Sequence, residues 1–189
     1  MELPLKIRSV AGLTDEMFFD LCQANSQLFM ERDQDGNIIV MAPTESDTGN
    51  YNFEIAFELG IWNRHTKAGY VFDSSSGFTL PNSAVRSPDV SWIAKDKWEA
   101  LSESDRKRFA PICPDLVVEV LSLSDSLPDL KSKMEEYISN GCCLGWLIDR
   151  INKQVFIYRA DGSVEVKDGK SIKLSGETVL KDFLLDVWF

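Results

Sequence analysis

One stretch with a strand, a helix and a second strand in succession determines the expected fold class. Residues 115–148 read DLVVEVLSLSDSLPDLKSKMEEYISNGCCLGWLI. The apolar runs at its two ends predict buried strands, and the segment 127–140 between them has helical spacing. Pro128 stands in the first turn of that helix and Gly141 follows its end. A helix that crosses between neighbouring strands makes them parallel, so we expect part of the sheet to be parallel.

The segments around this unit predict a mixed α/β protein. Thr14 is a candidate N-cap for a helix whose apolar face continues to Phe29. A turn containing Asp-Gly then predicts a hairpin between 28–32 and 38–41. A second helix is predicted at 50–66. Further strands are predicted at 70–73, 77–80, 87–94, 154–158 and 164–167.

Length and composition are those of an ordinary globular protein. The 189 residues, 44% of them hydrophobic, are enough for a single domain over 1–189, with a core of about 15–160 and a C-terminal extension at 161–189. The apolar runs are too short to span a bilayer, and the N-terminus lacks the apolar stretch of a secretory signal. We therefore expect a cytoplasmic protein with no membrane partner.

Charge and cysteine usage argue against several classes of function. The net charge of −10 argues against a surface that binds nucleic acid all over, although it leaves room for one local cationic groove. The four cysteines form no Cys-x-x-Cys pair, and the single histidine, His65, has no cysteine near it, so a zinc site is not expected. His65 lies at the polar end of a predicted helix, which does not favour a catalytic triad.

Two acidic residues stand where a charge is costly. Glu119 lies in the middle of an apolar strand, on the same face as Val117 and Leu121. Asp89 opens another apolar strand directly after Pro88. If the two strands are neighbours, a cation has to lie between the carboxylates, and oxygen ligands suit Mg²⁺ or Mn²⁺ rather than zinc. The alternative is structural: each acid pairs with an arginine or lysine, or faces solvent at a sheet edge.

Several motifs, taken in order, resemble one known family. They are SPDVSW at 87–92, PDLVVEVLSLSDS at 114–126, KMEEYISNGCCLGWLID at 133–149 and VFIYR at 155–159. Over about 15–189 the chain resembles the Uma-two family of restriction-endonuclease-like proteins, which is abundant in cyanobacteria and belongs to the PD-(D/E)XK nuclease superfamily. The resemblance implies a restriction-endonuclease-like α/β fold with a central mixed β-sheet flanked by helices.

The resemblance also implies roles for individual residues. Asp89 matches the metal-binding aspartate of the superfamily, and Glu119 matches the acid of its (D/E)XK strand. With the backbone carbonyl of Val120, they would hold one Mg²⁺ or Mn²⁺. The superfamily pattern has a lysine at the position of Leu121 in this chain. The family resembles branches of the superfamily in which that lysine has moved to the following helix, and Lys133 occupies the matching position. Lys133 borders the apolar stripe of the helix, so its amine can reach back to the sheet.

Other residues are accessory candidates. Glu31 resembles an acid of the family's early strand, and Glu54 resembles the superfamily's helical acid, but Glu31 could simply begin a hairpin and Glu54 could be a solvated helix residue. Lys131 is the alternative to Lys133. The candidates for contact with DNA phosphates are Arg86, Lys95 and Lys97.

The expected activity is metal-dependent hydrolysis of DNA phosphodiester bonds by a homodimer, since two strands need two centres. A second reading, from a different class, is a catalytically inactive member that keeps the fold as an interaction or regulatory module. The missing strand lysine and the negative net charge favour the second reading. The retained Asp89, Glu119 and Lys133 favour the first.

Overall fold

The computed structural model describes residues 4–8 and 12–189, which contain thirteen strands and five helices. The strands are β1 (Leu5–Ile7), β2 (Phe29–Arg32), β3 (Ile38–Met41), β4 (Gly69–Asp73), β5 (Phe78–Thr79), β6 (Val85–Arg86), β7 (Val90–Ala94), β8 (Leu116–Val120), β9 (Leu144–Asp149), β10 (Gln154–Arg159), β11 (Val164–Asp168), β12 (Ser171–Ser175) and β13 (Leu184–Trp188). The helices are α1 (Asp15–Ala24), α2 (Ser46–Thr66), α3 (Lys95–Ala100), α4 (Glu103–Arg106) and α5 (Leu127–Ser139). None of the helices in these ranges is long and apolar enough to cross a membrane.

The strands form three sheets, of which the largest is mixed, as predicted. Its six strands have the order β11-β10-β9-β8-β7-β4. β8 and β9 are parallel, and the other neighbouring strands of this sheet are antiparallel. A second sheet has the order β1-β3-β2-β6-β5, and β12 pairs with β13. The hairpin predicted before α2 is the β2–β3 pair.

The predicted crossover unit is confirmed. α5 connects β8 to β9, which lies beside β8 in the parallel direction. Pro128 lies in the first turn of α5, and Gly141, with a φ of 100°, follows its C-terminal end. The apolar stripe of α5 consists of Leu130, Met134 and Tyr137, which are buried in a cluster with side chains of the sheet. The residues that border this stripe are therefore held close to β8.

The largest cluster of buried side chains joins α2, the sheet and the C-terminal strands. Ile55 and Leu59 of α2 lie in this cluster, together with Leu174 and Phe183 of the C-terminal segment. The segment interpreted as an extension therefore contributes to the main core. α2 begins at Ser46, a full turn earlier than the sequence predicts.

α1 is shorter than predicted. Its N-cap is Thr14, as expected, since Thr14 Oγ1 accepts a hydrogen bond from the backbone N–H of Met17 at 3.2 Å. The helix ends where the side-chain amide of Asn25 donates to the carbonyl of Leu21 at 2.9 Å. The chain then turns, so Phe29, which was predicted on the helix face, begins β2 instead.

Candidate active site

The two acidic residues singled out by the sequence, Asp89 and Glu119, lie opposite each other on neighbouring strands. β7 and β8 are antiparallel, with Val90 paired to Val118. One further step along this register brings Asp89, just before β7, opposite Glu119 of β8. Asp89 is held there because its Oδ2 accepts a hydrogen bond from the backbone N–H of Val120 at 2.8 Å.

Glu119 lies under α5, almost completely buried. It is 4% exposed, and its Oε1 accepts hydrogen bonds from the Tyr137 hydroxyl at 3.0 Å and from Lys133 Nζ at 2.9 Å. Burial is the largest influence and raises the pKa of Glu119 to about 8, while the charge of Lys133 opposes the rise and that of Asp89 adds to it. A further positive charge beside this carboxyl group would favour its ionised form.

Glu31 is as buried as Glu119, but the charged groups around it lower its pKa instead of letting it rise. Its Oε1 lies 2.9 Å from Lys133 Nζ and accepts the backbone N–H of Ser87 at 2.9 Å, and its Oε2 lies 3.0 Å from Arg86 Nη1. Burial alone would raise the pKa of Glu31, but Lys133, Arg86 and the Ser87 N–H outweigh it and lower the pKa below its ordinary value. Both oxygens of Glu31 are therefore engaged with donors of the protein itself.

Lys133 connects these two carboxylates. Its ammonium group lies 2.9 Å from an oxygen of Glu31 and 2.9 Å from an oxygen of Glu119, and its side chain is 11% exposed. Burial alone would lower the pKa of Lys133, but the two carboxylates more than reverse this and raise the pKa above its ordinary value. Lys133 is therefore a fixed cation at neutral pH.

Arg86 lies next to this group and forms ion pairs with two carboxylates of the protein. Its Nη1 contacts Glu31, and its Nε lies 2.6 Å from Glu136 Oε2. Glu136 also accepts a hydrogen bond from Asn82 Nδ2 at 2.9 Å. Because Arg86 is only 8% exposed, its guanidinium group orders Glu31 and Glu136 rather than lying on an open surface.

Two cavities open onto these groups. The smaller, of about 460 Å³, is lined by side chains that include Glu31, Asn52, Asp89, Glu119 and Lys133. The larger, of about 890 Å³, shares Glu31 and Lys133 with the smaller one. The additional acids in its lining are Asp33, Asp35, Asp129, Glu135 and Glu136. A ligand in either cavity therefore reaches Lys133, and the surroundings of the larger one are strongly acidic.

Lys95 and Lys97 are not brought to either cavity. β7 separates Asp89 from Lys95, because Asp89 precedes the strand and Lys95 follows it. Six steps along an extended strand span about 20 Å. At that far end, Lys97 forms an ion pair with Asp115.

Glu54 and Lys131 also lie away from the carboxylate pair. Glu54 is exposed on α2 and lines neither cavity. Lys131 Nζ lies 4.1 Å from the centre of the Phe156 ring, which is a cation–π contact. Of the two helical lysines considered from the sequence, the structure brings Lys133 to the acids.

Tyr137 and Asn52 are polar groups of the site that were not anticipated from the sequence. Tyr137 was expected only as part of the apolar stripe of α5, yet its hydroxyl donates to Glu119. Asn52 of α2 is 9% exposed and lines the smaller cavity. It lies three and seven residues before Ile55 and Leu59, so the helical spacing itself contained the signal for a buried asparagine.

The oxygen donors present fit a hard divalent cation in kind. Asp89 and Glu119 supply carboxylates, and Val120 supplies a backbone carbonyl. Burial is the main cause that raises the pKa of Asp89 to about 6, so each acid of the pair is destabilised in its charged form. Within residues 4–8 and 12–189, no three Asp, Glu, His or Cys side chains are grouped to hold a metal ion. An ion at this pair therefore needs further oxygen ligands from water, backbone carbonyls or amide side chains.

Comparison with known proteins identifies the family. The Uma2 (Uma-two) family model, described as "Putative restriction endonuclease", matches residues 15–187. A crystal structure of an Anabaena variabilis protein, described as "a putative nuclease belonging to DUF820", has a TM-score of 0.69 and 19% sequence identity, and the match covers 82% of this chain and 86% of that one. Among curated proteins, none matches the chain. The chain belongs to the Uma-two family and has a restriction-endonuclease-like α/β fold, as its motifs predicted.

Proposed function

We propose that this protein is a divalent-metal-dependent endonuclease that hydrolyses phosphodiester bonds of DNA. The observation that carries the proposal is the 2.9 Å contact between Lys133 Nζ and Glu119 Oε1. The superfamily pattern places a lysine two residues after the strand acid, where this chain has Leu121. α5 supplies an ammonium group to the same carboxylate from another direction, so the missing lysine does not leave the site without a cation.

Asp89, Glu119 and the backbone carbonyl of Val120 would hold one Mg²⁺ or Mn²⁺. When bound, such an ion lowers the pKa of water and neutralises charge on a phosphate group. The raised pKa values of Asp89 and Glu119 support this assignment, because both carboxyl groups gain from a positive charge between them. Glu31 is the less suitable ligand, since donors of the protein already occupy its two oxygens.

Lys133 would stabilise negative charge on the phosphate group. Its raised pKa keeps it protonated, so it can donate hydrogen bonds but cannot accept a proton at neutral pH. A donor fixed before the reaction stabilises developing charge without reorganising during it. Glu31 holds the ammonium group from the other side and is a positioning residue.

A divalent ion also explains how an acidic protein can accept a polyanion. The charged groups in and beside the smaller cavity are two cations, Lys133 and Arg86, and five carboxyl groups: Glu31, Asp89, Glu119, Asp125 and Glu136. The acids therefore outnumber the cations, and a divalent ion reduces this excess of negative charge. Without the ion, like charges repel a phosphate group, so DNA binding should depend on the metal.

A second copy of the chain is the proposed partner for the outer face of α2. Phe53, Phe57 and Ile61 are spaced four residues apart on that face and are 62%, 51% and 41% exposed. Glu54 lies in the first half of the helix and Arg64 in its last turn. Antiparallel packing of two α2 helices would bury the apolar stripe and bring each acidic half towards the basic end of its partner. Such a homodimer would supply two centres for two DNA strands.

The dimer is tested by a Phe57→Glu substitution. Sedimentation velocity should show a dimer for the unaltered protein and a monomer for Phe57→Glu, because a charge in the middle of the stripe cannot be buried. Leu184→Glu is the matched control: Leu184 is 58% exposed on β13, so its substitution should leave the dimer intact. A monomeric unaltered protein would contradict this part of the proposal.

The activity is tested by nicking of supercoiled plasmid. The unaltered protein should nick with Mg²⁺ and not with EDTA, and Glu119→Gln should lower the rate by about 100-fold. Glu103→Gln, the same change at an exposed glutamate of α4, should leave the rate unchanged. If the unaltered protein neither nicks DNA nor binds Mn²⁺, the nuclease proposal fails and the inactive interaction or regulatory module takes its place.

A further inference from the structure

Asn52 is a buried polar side chain whose carbonyl oxygen has no partner. It lies on the inner face of α2, is 9% exposed, and lines the cavity that contains Asp89 and Glu119. Its Oδ1 is buried and accepts no hydrogen bond from the residues that the structure describes. Buried carbonyl oxygens are almost always hydrogen-bonded, and an apolar side chain would fill the same helix face without a desolvation penalty. The exception at Asn52 therefore needs an explanation.

A second asparagine of the same helix shows what a structural asparagine looks like here. Asn63 Nδ2 donates to the carbonyl of Gly69 at 2.8 Å. Its Oδ1 accepts the backbone N–H of Gly69 at 3.0 Å and the indole N–H of Trp92 at 2.9 Å. Asn63 thus ties α2 to β4 and β7 with both ends of its amide. Asn52 has no such partner for its acceptor, although the residue lines the cavity that the two acids share.

We propose that Asn52 Oδ1 is a neutral oxygen donor to the divalent cation that Asp89 and Glu119 bind, either directly or through a water of the hydration shell of the ion. This inference rests on the proposed function. Hard divalent cations take six or more oxygen ligands, and asparagine carbonyls are among those that proteins supply. Because no three Asp, Glu, His or Cys side chains are grouped to hold a metal ion in the described part of the chain, an amide oxygen would add a ligand beyond the two acids.

The neutrality of this donor suits the surroundings. The carboxylates around the cavity already outnumber the cations, so a further acid would raise the repulsion that the apoprotein has to tolerate. An amide adds an oxygen without adding a charge. The helical acid expected at Glu54 is on the exposed side of α2, and Asn52, two residues earlier, occupies the inner position.

The test is a calorimetric titration of the full chain with MnCl₂, combined with thermal unfolding of the metal-free protein. Asn52→Leu should weaken Mn²⁺ binding about tenfold and leave the unfolding temperature unchanged or higher, because a similar volume replaces an unsatisfied amide. Asn52→Asp should do the opposite, binding Mn²⁺ more tightly and unfolding at a lower temperature without metal. Asn50→Leu, the same change at an exposed position of α2 away from the cavity, should leave Mn²⁺ binding unchanged.

The other possible results of the titration and of thermal unfolding also decide whether Asn52 is a ligand. If Asn52→Leu lowers the unfolding temperature and binds Mn²⁺ as the unaltered protein does, Asn52 is structural, and this inference fails while the proposed function stands. If the unaltered protein binds no Mn²⁺, both fail together. If Asn52→Leu does not fold, Asn52→Asp decides alone: Mn²⁺ binding no tighter than that of the unaltered protein overturns the inference.

Discussion

The two ends of the β7–β8 strand pair each carry an aspartate, and the two aspartates are used differently. At one end Asp89 accepts the backbone N–H of Val120 at 2.8 Å, and at the other end Asp115 accepts that of Ala94, also at 2.8 Å. Each carboxylate thus joins the same two strands through one backbone donor. The two ends differ in the cations that accompany these acids.

Asp115 has a cation of its own, whereas Asp89 shares one. Lys97 pairs with Asp115 and is 45% exposed, so that end holds one acid and one solvated lysine. At the other end, Lys133 is buried between Glu31 and Glu119 and also acts on Asp89. An acid with its own cation is satisfied within the chain and stabilises the strand pair. Where acids outnumber their cations, a positive charge from outside the chain is needed to balance them. That excess of negative charge indicates a candidate site.

The largest contrast should come from removing the two lysines. Lys133→Met leaves buried carboxylates without their cation, so the free energy of unfolding should fall by about 3–5 kcal/mol at pH 7. Lys97→Met should lower it by no more than about 1 kcal/mol, because the exposed pair is screened by solvent. Urea denaturation of the two variants measures both free energies of unfolding. Equal losses would mean that the two ends are electrostatically alike.

The same change at the two aspartates should have opposite signs. Asp89→Asn keeps an acceptor for the Val120 N–H and removes a charge that burial destabilises, so the metal-free protein should gain about 1–2 kcal/mol at pH 7. Asp115→Asn removes a charge that has its partner, so it should lose about 1–2 kcal/mol. Urea denaturation of the two variants side by side makes the comparison. A lower free energy of unfolding in both variants would show that the charge of Asp89 stabilises the fold.

The pH dependence of stability should sharpen the contrast further. Glu119 has an unfolded-state pKa of 4.5 and a folded-state pKa of about 8, so the folded protein holds the extra proton between these values. Stability therefore falls as pH rises through this window, by at most about 1.4 kcal/mol per pH unit for this group. Asp89 acts in the same direction between 3.8 and about 6.

Urea denaturation at several pH values between 6 and 8 isolates Glu119. The metal-free unaltered protein should lose stability across this range, and Glu119→Gln should have the flatter profile because it cannot titrate. Saturating Mn²⁺ should abolish the loss, since the ion keeps the carboxylates ionised. A Glu119→Gln profile as steep as that of the unaltered protein would assign the titration to another group.

The buried position of Glu119 and the placement of α5 could be predicted because each depends on local pattern. The apolar flanks of Glu119 indicate a strand interior, and the strand–helix–strand pattern places α5 beside that strand. These two inferences need only short-range periodicity and the geometry of a crossover. Helix geometry left both Lys131 and Lys133 open, and the resemblance to the Uma-two family favoured Lys133 and gave Asp89 its role.

The remainder of the site depends on contacts between distant segments. Arg86 meets Glu31 because β2 pairs with β6, 55 residues along the chain, and no local pattern encodes that pairing. Lys95 and Lys97 looked suitable for DNA because of their charge, but the extended course of β7 separates them from Asp89 by about 20 Å. Lys97 instead satisfies Asp115, whose burial appears only once β8 is in place. Register and strand direction are tertiary properties, and they decided these positions.

Anomalous diffraction from a manganese-soaked crystal shows whether Asp89 and Glu119 share one divalent ion beside Lys133. A single manganese peak should lie between the two carboxylates, about 2.0–2.3 Å from an oxygen of each, with Asn52 on its helical side. A fully soaked crystal with no peak at that position, or with manganese bound only elsewhere, would show that the two acids do not share an ion.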